Sequence, residues 1–137
     1  MSIRLVPAAN EEEFVAPALR SRAGKAPRIR TTRLFRAKSD GVEVALVVLD
    51  NHEGADCSIL YEIFLAVDRR NRGVGTKVLA AVEQHVRASG RSCLDVWPRS
   101  LDRSNRSDAQ LVRWYKRHGY APTSPGTERL RKVLSTA

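Results

Sequence analysis

The feature that most constrains this chain is a continuous apolar run, Ile59-Leu60-Tyr61-Glu62-Ile63-Phe64-Leu65-Ala66-Val67, followed within a few residues by the turn Arg70-Asn71-Arg72-Gly73-Val74-Gly75. A run with so little polar alternation needs cover on both faces, so it reads as a central strand rather than an edge. After the turn, Val74, Val78, Leu79, Val82 and Val86 recur at helical spacing, Glu83 and Arg87 form an outward i,i+4 pair, and Ser89-Gly90 stops the helix. Ser92-Cys93-Leu94-Asp95-Val96-Trp97 is a further short strand closed by Pro98. Strand, helix and strand of these lengths favour a parallel pair joined by a crossover.

The remaining segments extend the same alternation. Ser2 to Pro7 reads as an edge strand, and Asn10 with Glu13 three residues later is a capping box for a helix near Glu11 to Arg22. The stretches Arg30 to Lys38 and Val42 to Leu49, joined by Ser39-Asp40-Gly41, form a hairpin. Ser107 with Gln110 opens a late helix that runs to His118 and stops at Gly119, with Leu111, Tyr115 and His118 on one face. Tyr120 to Pro122 and Arg129 to Leu134 close the chain as a strand pair. The sequence shows no repeat or linker, so residues 1–137 are expected to form a single α/β domain.

Composition narrows the setting. No run of about 18 apolar residues is present and the start lacks a signal-peptide pattern, which predicts a soluble, cytoplasmic chain without a membrane partner. Cys57 and Cys93 have no Cys or His at ligand spacing beside them; no metal site is expected, and both are read as reduced, buried thiols. Twenty-four Lys and Arg against fifteen Asp and Glu leave a formal charge of +9, which suits a polyanion: a nucleotide coenzyme, an acidic acceptor or RNA.

A helix opening directly after a buried strand presents unsatisfied N–H groups and a positive dipole end, a seat for phosphate oxygens. Gly73 and Gly75 permit close backbone approach, and Arg70, Arg72 and Lys77 add positive charge. A P-loop would need Gly-Lys-Ser/Thr where the chain has Gly75-Thr76-Lys77, and a dinucleotide loop would need a third glycine; neither pattern is met.

These residues resemble the GNAT superfamily of N-acetyltransferases. The family's Gln/Arg-x-x-Gly-x-Gly/Ala signature reads here as Arg70-Asn71-Arg72-Gly73-Val74-Gly75, preceded by Leu65-Ala66-Val67, and its late Tyr-x-x-x-Gly-Phe/Tyr mark reads as Tyr115-Lys116-Arg117-His118-Gly119-Tyr120. The similarity spans Leu60 to Tyr120 well; the first forty residues follow only in element order. The resemblance implies a mixed central sheet flanked by helices, with splayed central strands forming an acyl-CoA cleft. It implies that backbone groups near Leu65, Ala66 and Val67 pair with the pantetheine arm, and that Arg70, Asn71, Arg72, Gly73, Val74, Gly75, Thr76 and Lys77 hold the pyrophosphate. Acetyl-CoA is the implied donor, and Tyr115 matches the tyrosine that lies beside the coenzyme sulfur.

A phenol with a pKa of about 10 can protonate a departing thiolate of about 8.5 at little cost when hydrogen-bonded to it, which makes Tyr115 a candidate general acid. The acceptor ammonium must also lose a proton, and Glu62 on the central strand is the candidate base, ahead of Asp95, His118 and His85; the competing reading is a strand acid that points at solvent or pairs with an arginine. Asp108 stands where relatives commonly have asparagine, and Val67 to Arg72 can slide by two residues against the usual pattern while Gly73 and Gly75 stay in place. The expected reaction is direct acetyl transfer to an amine of a small molecule or protein. The alternatives are toxin-like acetylation of aminoacyl-tRNA, prompted by the basic loop Arg99 to Arg106, and a binding module without turnover. Trp97 and Trp114 are read as buried packing residues ahead of the alternative that they line the acceptor side, and a homodimer, common among relatives, is left open.

Overall fold

A computed structural model describes residues 2–26, 29–70, 73–99 and 107–134. The strands are β1 (Ile3–Ala8), β2 (Thr32–Ser39), β3 (Val42–Asp50), β4 (Cys57–Leu65), β5 (Cys93–Val96), β6 (Ala121–Pro122) and β7 (Leu130–Val133). The helices are α1 (Pro17–Ala23), α2 (Val74–Ala88) and α3 (Asp108–Arg117). One mixed sheet has the order β1-β2-β3-β4-β5-β7-β6. Only the β4–β5 pair is parallel, as the α2 crossover requires; the other neighbours are antiparallel.

Two apolar clusters divide the sheet's faces. On one face, Val74, Val78, Leu79, Val82 and Val86 of α2 and Tyr115 of α3 pack with Val47, Leu49, Leu60, Leu94 and Val96. On the other, Phe14, Leu19 and Ala23 cover Leu34, Leu46 and Val48. The β3 strand is buried from Glu43 onward, which accounts for its unbroken apolar sequence. The β2–β3 hairpin turns at Asp40 and Gly41, with φ of 51° and 80°, a geometry glycine takes without steric cost.

Four expectations need correction. The helix expected from Glu11 to Arg22 is interrupted: the Asn10–Glu13 capping box opens only a 3-10 turn, Glu11–Glu13, and α1 starts afresh at Pro17. Proline lacks the N–H a continuing helix needs but is favoured in a first turn. Glu83 does not face outward with Arg87; it is buried, accepting from the Tyr120 phenol at 2.8 Å and from Lys132 Nζ at 3.1 Å. The cysteines are not free thiols. Cys57 and Cys93 face each other in the β4–β5 ladder with Cα atoms 4.4 Å apart, and they are disulfide-bonded. Trp97 is 37% exposed rather than buried, with Arg129 stacked on its ring.

Glu43 fixes the α1 layer. Its carboxylate accepts from the backbone N–H groups of Val15 (2.9 Å) and Ala16 (2.7 Å), just ahead of a helix with no side-chain cap, and from Arg36 Nε at 2.6 Å. Burial pushes this carboxyl upward, but the hydrogen bonds from Ala16, Val15 and Arg36 outweigh burial and leave its pKa below the ordinary 4.5.

Two stability outcomes follow from these contacts. A folded pKa below the unfolded one gives stability that is fully present above the unfolded value and is lost as pH falls through the folded value. Glu43→Gln is therefore expected to lower stability by about 2 kcal/mol at neutral pH, with the gap from wild type closing in acid, as read by chemical unfolding across pH. Reducing the disulfide, which closes a separation of 36 residues, is expected to cost about 3 kcal/mol in the same assay; an unchanged midpoint after verified reduction would contradict a bonded pair that braces the sheet.

Candidate functional site

The β4 strand pairs with β3 as far as Leu65, but with β5 only through Leu60, opposite Val96. Beyond that pair β5 ends and β4 continues, so the two strands part. The break coincides with a bulge: Leu60 faces Leu49 and Glu62 faces Val48, which leaves Tyr61 as the extra residue. Backbone direction then determines what the gap receives. The Ala66 N–H donates to the Val44 carbonyl at 2.9 Å, so groups at alternate positions turn toward β3, and those of Ile63 and Leu65 turn toward the missing partner. The Leu65 carbonyl accepts from Arg70 Nε at 3.4 Å, and the Arg70 guanidinium lies 5.1 Å from the Phe64 ring centroid.

A 3-10 turn, Val67–Arg69, carries the chain from this edge toward α2. Gly73 occupies the N-cap with φ 75° and ψ 4° and has no side chain with which to cap the helix. The first-turn amides of Val74, Gly75 and Thr76 therefore stand at a 15-residue helix's positive end without a side-chain acceptor among the described residues. The Gly75 position has a different role from Gly73: a Cβ there would lie 3.6 Å from both Leu65 Cδ1 and Trp114 Cζ2, ordinary contact distance. Gly75 thus sits where β4, α2 and α3 converge. Lys77 is exposed one turn into the helix. Asn71 and Arg72, both expected at the phosphate seat, lie outside the described residues, as does most of the basic loop that prompted the tRNA alternative.

The late helix closes over this end. Tyr115 is 4% exposed, with its ring edge-on to Trp114 (4.9 Å) and Tyr120 (5.4 Å), on the face shared with α2. His118 Nδ1 lies 2.8 Å from the Trp114 carbonyl, which assigns the proton to Nδ1 in the neutral ring and leaves Nε2 to accept from the Thr76 hydroxyl at 3.2 Å. His118 thereby ties the end of α3 to the start of α2. His85 packs against Phe35 at 4.8 Å, and burial lowers its pKa, as suits a packing residue.

The two acids considered as bases are both engaged. Glu62 is buried and accepts from Arg22 of α1, Nε at 2.8 Å and Nη2 at 3.3 Å. Asp95 is fully buried and shared by Arg129 and Arg131; burial pushes its carboxyl up, but hydrogen bonds from both arginines hold its pKa below the ordinary value. Sequence reading overlooked a further group around Asp50, also fully buried: it accepts from the Thr31 hydroxyl at 2.6 Å and the Tyr61 phenol at 3.2 Å, with His52 Nε2 3.5 Å away. Burial first, and Asp50 second, raise the Tyr61 phenol's pKa. The signal for this group was Tyr61 interrupting an aliphatic strand, but its partner is set by the bulge, which no local pattern announces.

The described residues contain no group of three or more acids, histidines or cysteines that could hold a metal, and no helix among them is long and apolar enough to cross a membrane. The family model for the acetyltransferase (GNAT) domain matches residues 30–122. Among curated proteins there is no sequence match. A GNAT family acetyltransferase from Elizabethkingia anophelis, solved with acetyl-CoA bound, is similar at TM-score 0.68 and 16% identity, over 97% of this chain and 99% of that one. An IAA acetyltransferase from Bacillus cereus is similar at TM-score 0.67 and 17% identity, over 97% and 100%. At such identities the likeness concerns the fold.

The two glycines separate in a stability test. Gly73→Ala is expected to cost about 1–2 kcal/mol for a side chain in left-handed backbone, whereas Gly75→Ala, in helical backbone with room for a methyl group, should change stability by less than about 1 kcal/mol. Equal losses for both would contradict the assigned conformations.

Proposed function

The chain belongs to the GNAT acetyltransferase family, and on that premise we propose that it transfers acetyl from acetyl-CoA directly to an amine held with the coenzyme in a ternary complex. The observation that carries this reading is one continuous seat. The unpaired side of β4 over Tyr61–Leu65 leads to the uncapped, glycine-headed start of α2. Outward backbone groups at Ile63 and Leu65 suit the amides of a pantetheine arm, which would complete the sheet as a missing strand does. The amides of Val74, Gly75 and Thr76, with Arg70 and Lys77 nearby, suit the pyrophosphate. Ala66 and Val67 would form the corner between them, and Asn71 and Arg72 belong to the same seat by sequence.

In this reading the acceptor ammonium first gives up a proton, and the free amine nitrogen attacks the thioester carbonyl. A backbone N–H on β4 stabilises the charge that gathers on the carbonyl oxygen. A carbon–nitrogen bond forms, the carbon–sulfur bond breaks, and the thiolate takes a proton from Tyr115, which recovers it from the nitrogen's second proton. Tyr115 suits the acid's role because it is enclosed between α2 and α3, away from competing water. Glu62 is the candidate base. Since Arg22 engages both its oxygens, it would receive the first proton through a bridging water rather than by direct contact.

The test is free-thiol release from acetyl-CoA with a panel of amines. Tyr115→Phe is expected to lower kcat about a hundredfold while coenzyme A binding stays within a factor of about three. Glu62→Gln should lower the same rate constant at least about tenfold. Full activity in Tyr115→Phe would remove the phenol from the chemistry, and absence of both coenzyme binding and thiol release in the wild type would remove the enzymatic reading itself.

A further inference from the structure

The face of the sheet opposite α2 is only partly covered, since α1 packs over β3 and β4. On β5, Leu94 and Val96 join the α2-side core, so Cys93 and Asp95 point the other way; on β7, Leu130 joins that core, so its neighbours Arg129 and Arg131 also face away. There they border a pocket of about 350 Å³ whose walls include the Cys57–Cys93 disulfide, Ile59 and His52.

The charges in this pocket are unevenly spent. Arg129 donates through Nε to Asp95 at 2.7 Å and also through Nη2; Arg131 donates through Nε at 2.6 Å and Nη2 at 3.0 Å. One buried carboxylate thus serves two guanidinium groups, and neither Nη1 has a hydrogen-bond partner among the described residues. Both arginine side chains remain partly open to solvent, 34% and 40% exposed. Asp56, the acid in the pocket wall, is exposed and makes no ion pair among the described residues.

On β4 and β5 the pocket's walls are the strands' first residues, Cys57, Ile59 and Cys93, and it reaches toward the β4–β5 gap through Arg129. Leu60 and Val96 form the last parallel pair, and the next residue on each strand, Tyr61 and Trp97, carries an aromatic ring that is 37% exposed. Arg129 stacks on Trp97, with its guanidinium carbon 4.9 Å from the ring centroid. An anion held by the free edge of Arg129 therefore lies beside the gap's opening.

We infer that this pocket holds a carboxylate of the acceptor, so that the substrate class is amines that also carry a free carboxylate, such as amino acids or short peptides. The inference rests on the proposed reading that the gap receives the thioester. Guanidinium edges match a planar carboxylate with paired, charge-assisted hydrogen bonds, and Asp95 holds both arginines in place before the ligand arrives. The ligand's carboxylate takes the open donors, and its chain runs along Trp97 and Tyr61 toward the gap.

Matched amines test this: β-alanine against β-alaninamide, and glycylglycine against glycylglycinamide, each assayed by thiol release from acetyl-CoA. The acids are expected to be preferred about tenfold or more in kcat/KM, mainly through KM, as for a charge-assisted hydrogen bond gained. Arg131→Gln should bring the ratio close to one while coenzyme A binding is retained, and Arg131→Lys, which keeps the charge but not the fork, should fall between. A binding readout covers weak turnover: in 1H–15N spectra, N-acetylglycylglycine should shift the Trp97 indole N–H, identified with Trp97→Phe, and its amide should not. Equal use of acids and amides, or, where no amine turns over, an unmoved Trp97 signal, overturns the inference while leaving the acetyltransferase reading intact. A stronger shift with inorganic phosphate than with the carboxylate probe overturns the carboxylate assignment. Failure of coenzyme A to bind at all counts against the parent reading instead.

Discussion

Pairing between β4 and β5 stops after four residues on each strand, and the site depends on that stop. Backbone amides and carbonyls turned toward an absent neighbour must be met by water or by a ligand, because leaving them buried and unpaired is costly. Three local features keep the gap from closing. β5 is short and runs out through Trp97 into Pro98, β4 bends at the Tyr61 bulge, and the disulfide fixes the strands together only at their starts. The same divergence directs the end of β4 toward α2, so a sheet edge and a helix terminus offer donors to one extended ligand.

Buried acids organise the opposite face. Glu43, Asp50, Glu62 and Asp95 lie on β3, β4 and β5, and each is met by a partner from another element: Arg36 with the amides before α1, Thr31, Arg22, and Arg129 with Arg131. These pairs tie α1, β2 and β7 to the central strands. They also change the meaning of the net charge of +9. Arg22, Arg36, Arg129 and Arg131 serve as fixed counter-charges within the fold.

Much of the fold was legible because its signals are local. The α2 stripe, the Asp40-Gly41 turn, the Ser107–Gln110 capping box and the parallel crossover each follow from spacing that neighbours in sequence enforce. The glycine heading α2 was legible for the same reason, since a glycine N-cap after a strand is a contiguous pattern. What the sequence concealed depends on contacts between distant residues. Phe14 to Ala16 breaks the helix that the Asn10–Glu13 capping box announces, Glu83 is drawn inward by Tyr120 and Lys132, and Cys57 meets Cys93 only through strand register. Glu62 illustrates the limit best: its strand could be read, but Arg22, forty residues away, decides what its carboxylate touches.

The central claim is that the coenzyme fills the place of a missing strand beside β4 and ends on the amides heading α2. Amide 1H–15N shifts recorded while coenzyme A is added to the intact protein address it most directly. The account predicts saturable shifts at Ile63, Leu65, Val74, Gly75 and Thr76, with the β1–β2 pair unmoved. Saturable binding that leaves those five amides in place, and moves signals elsewhere in the sheet, would contradict it.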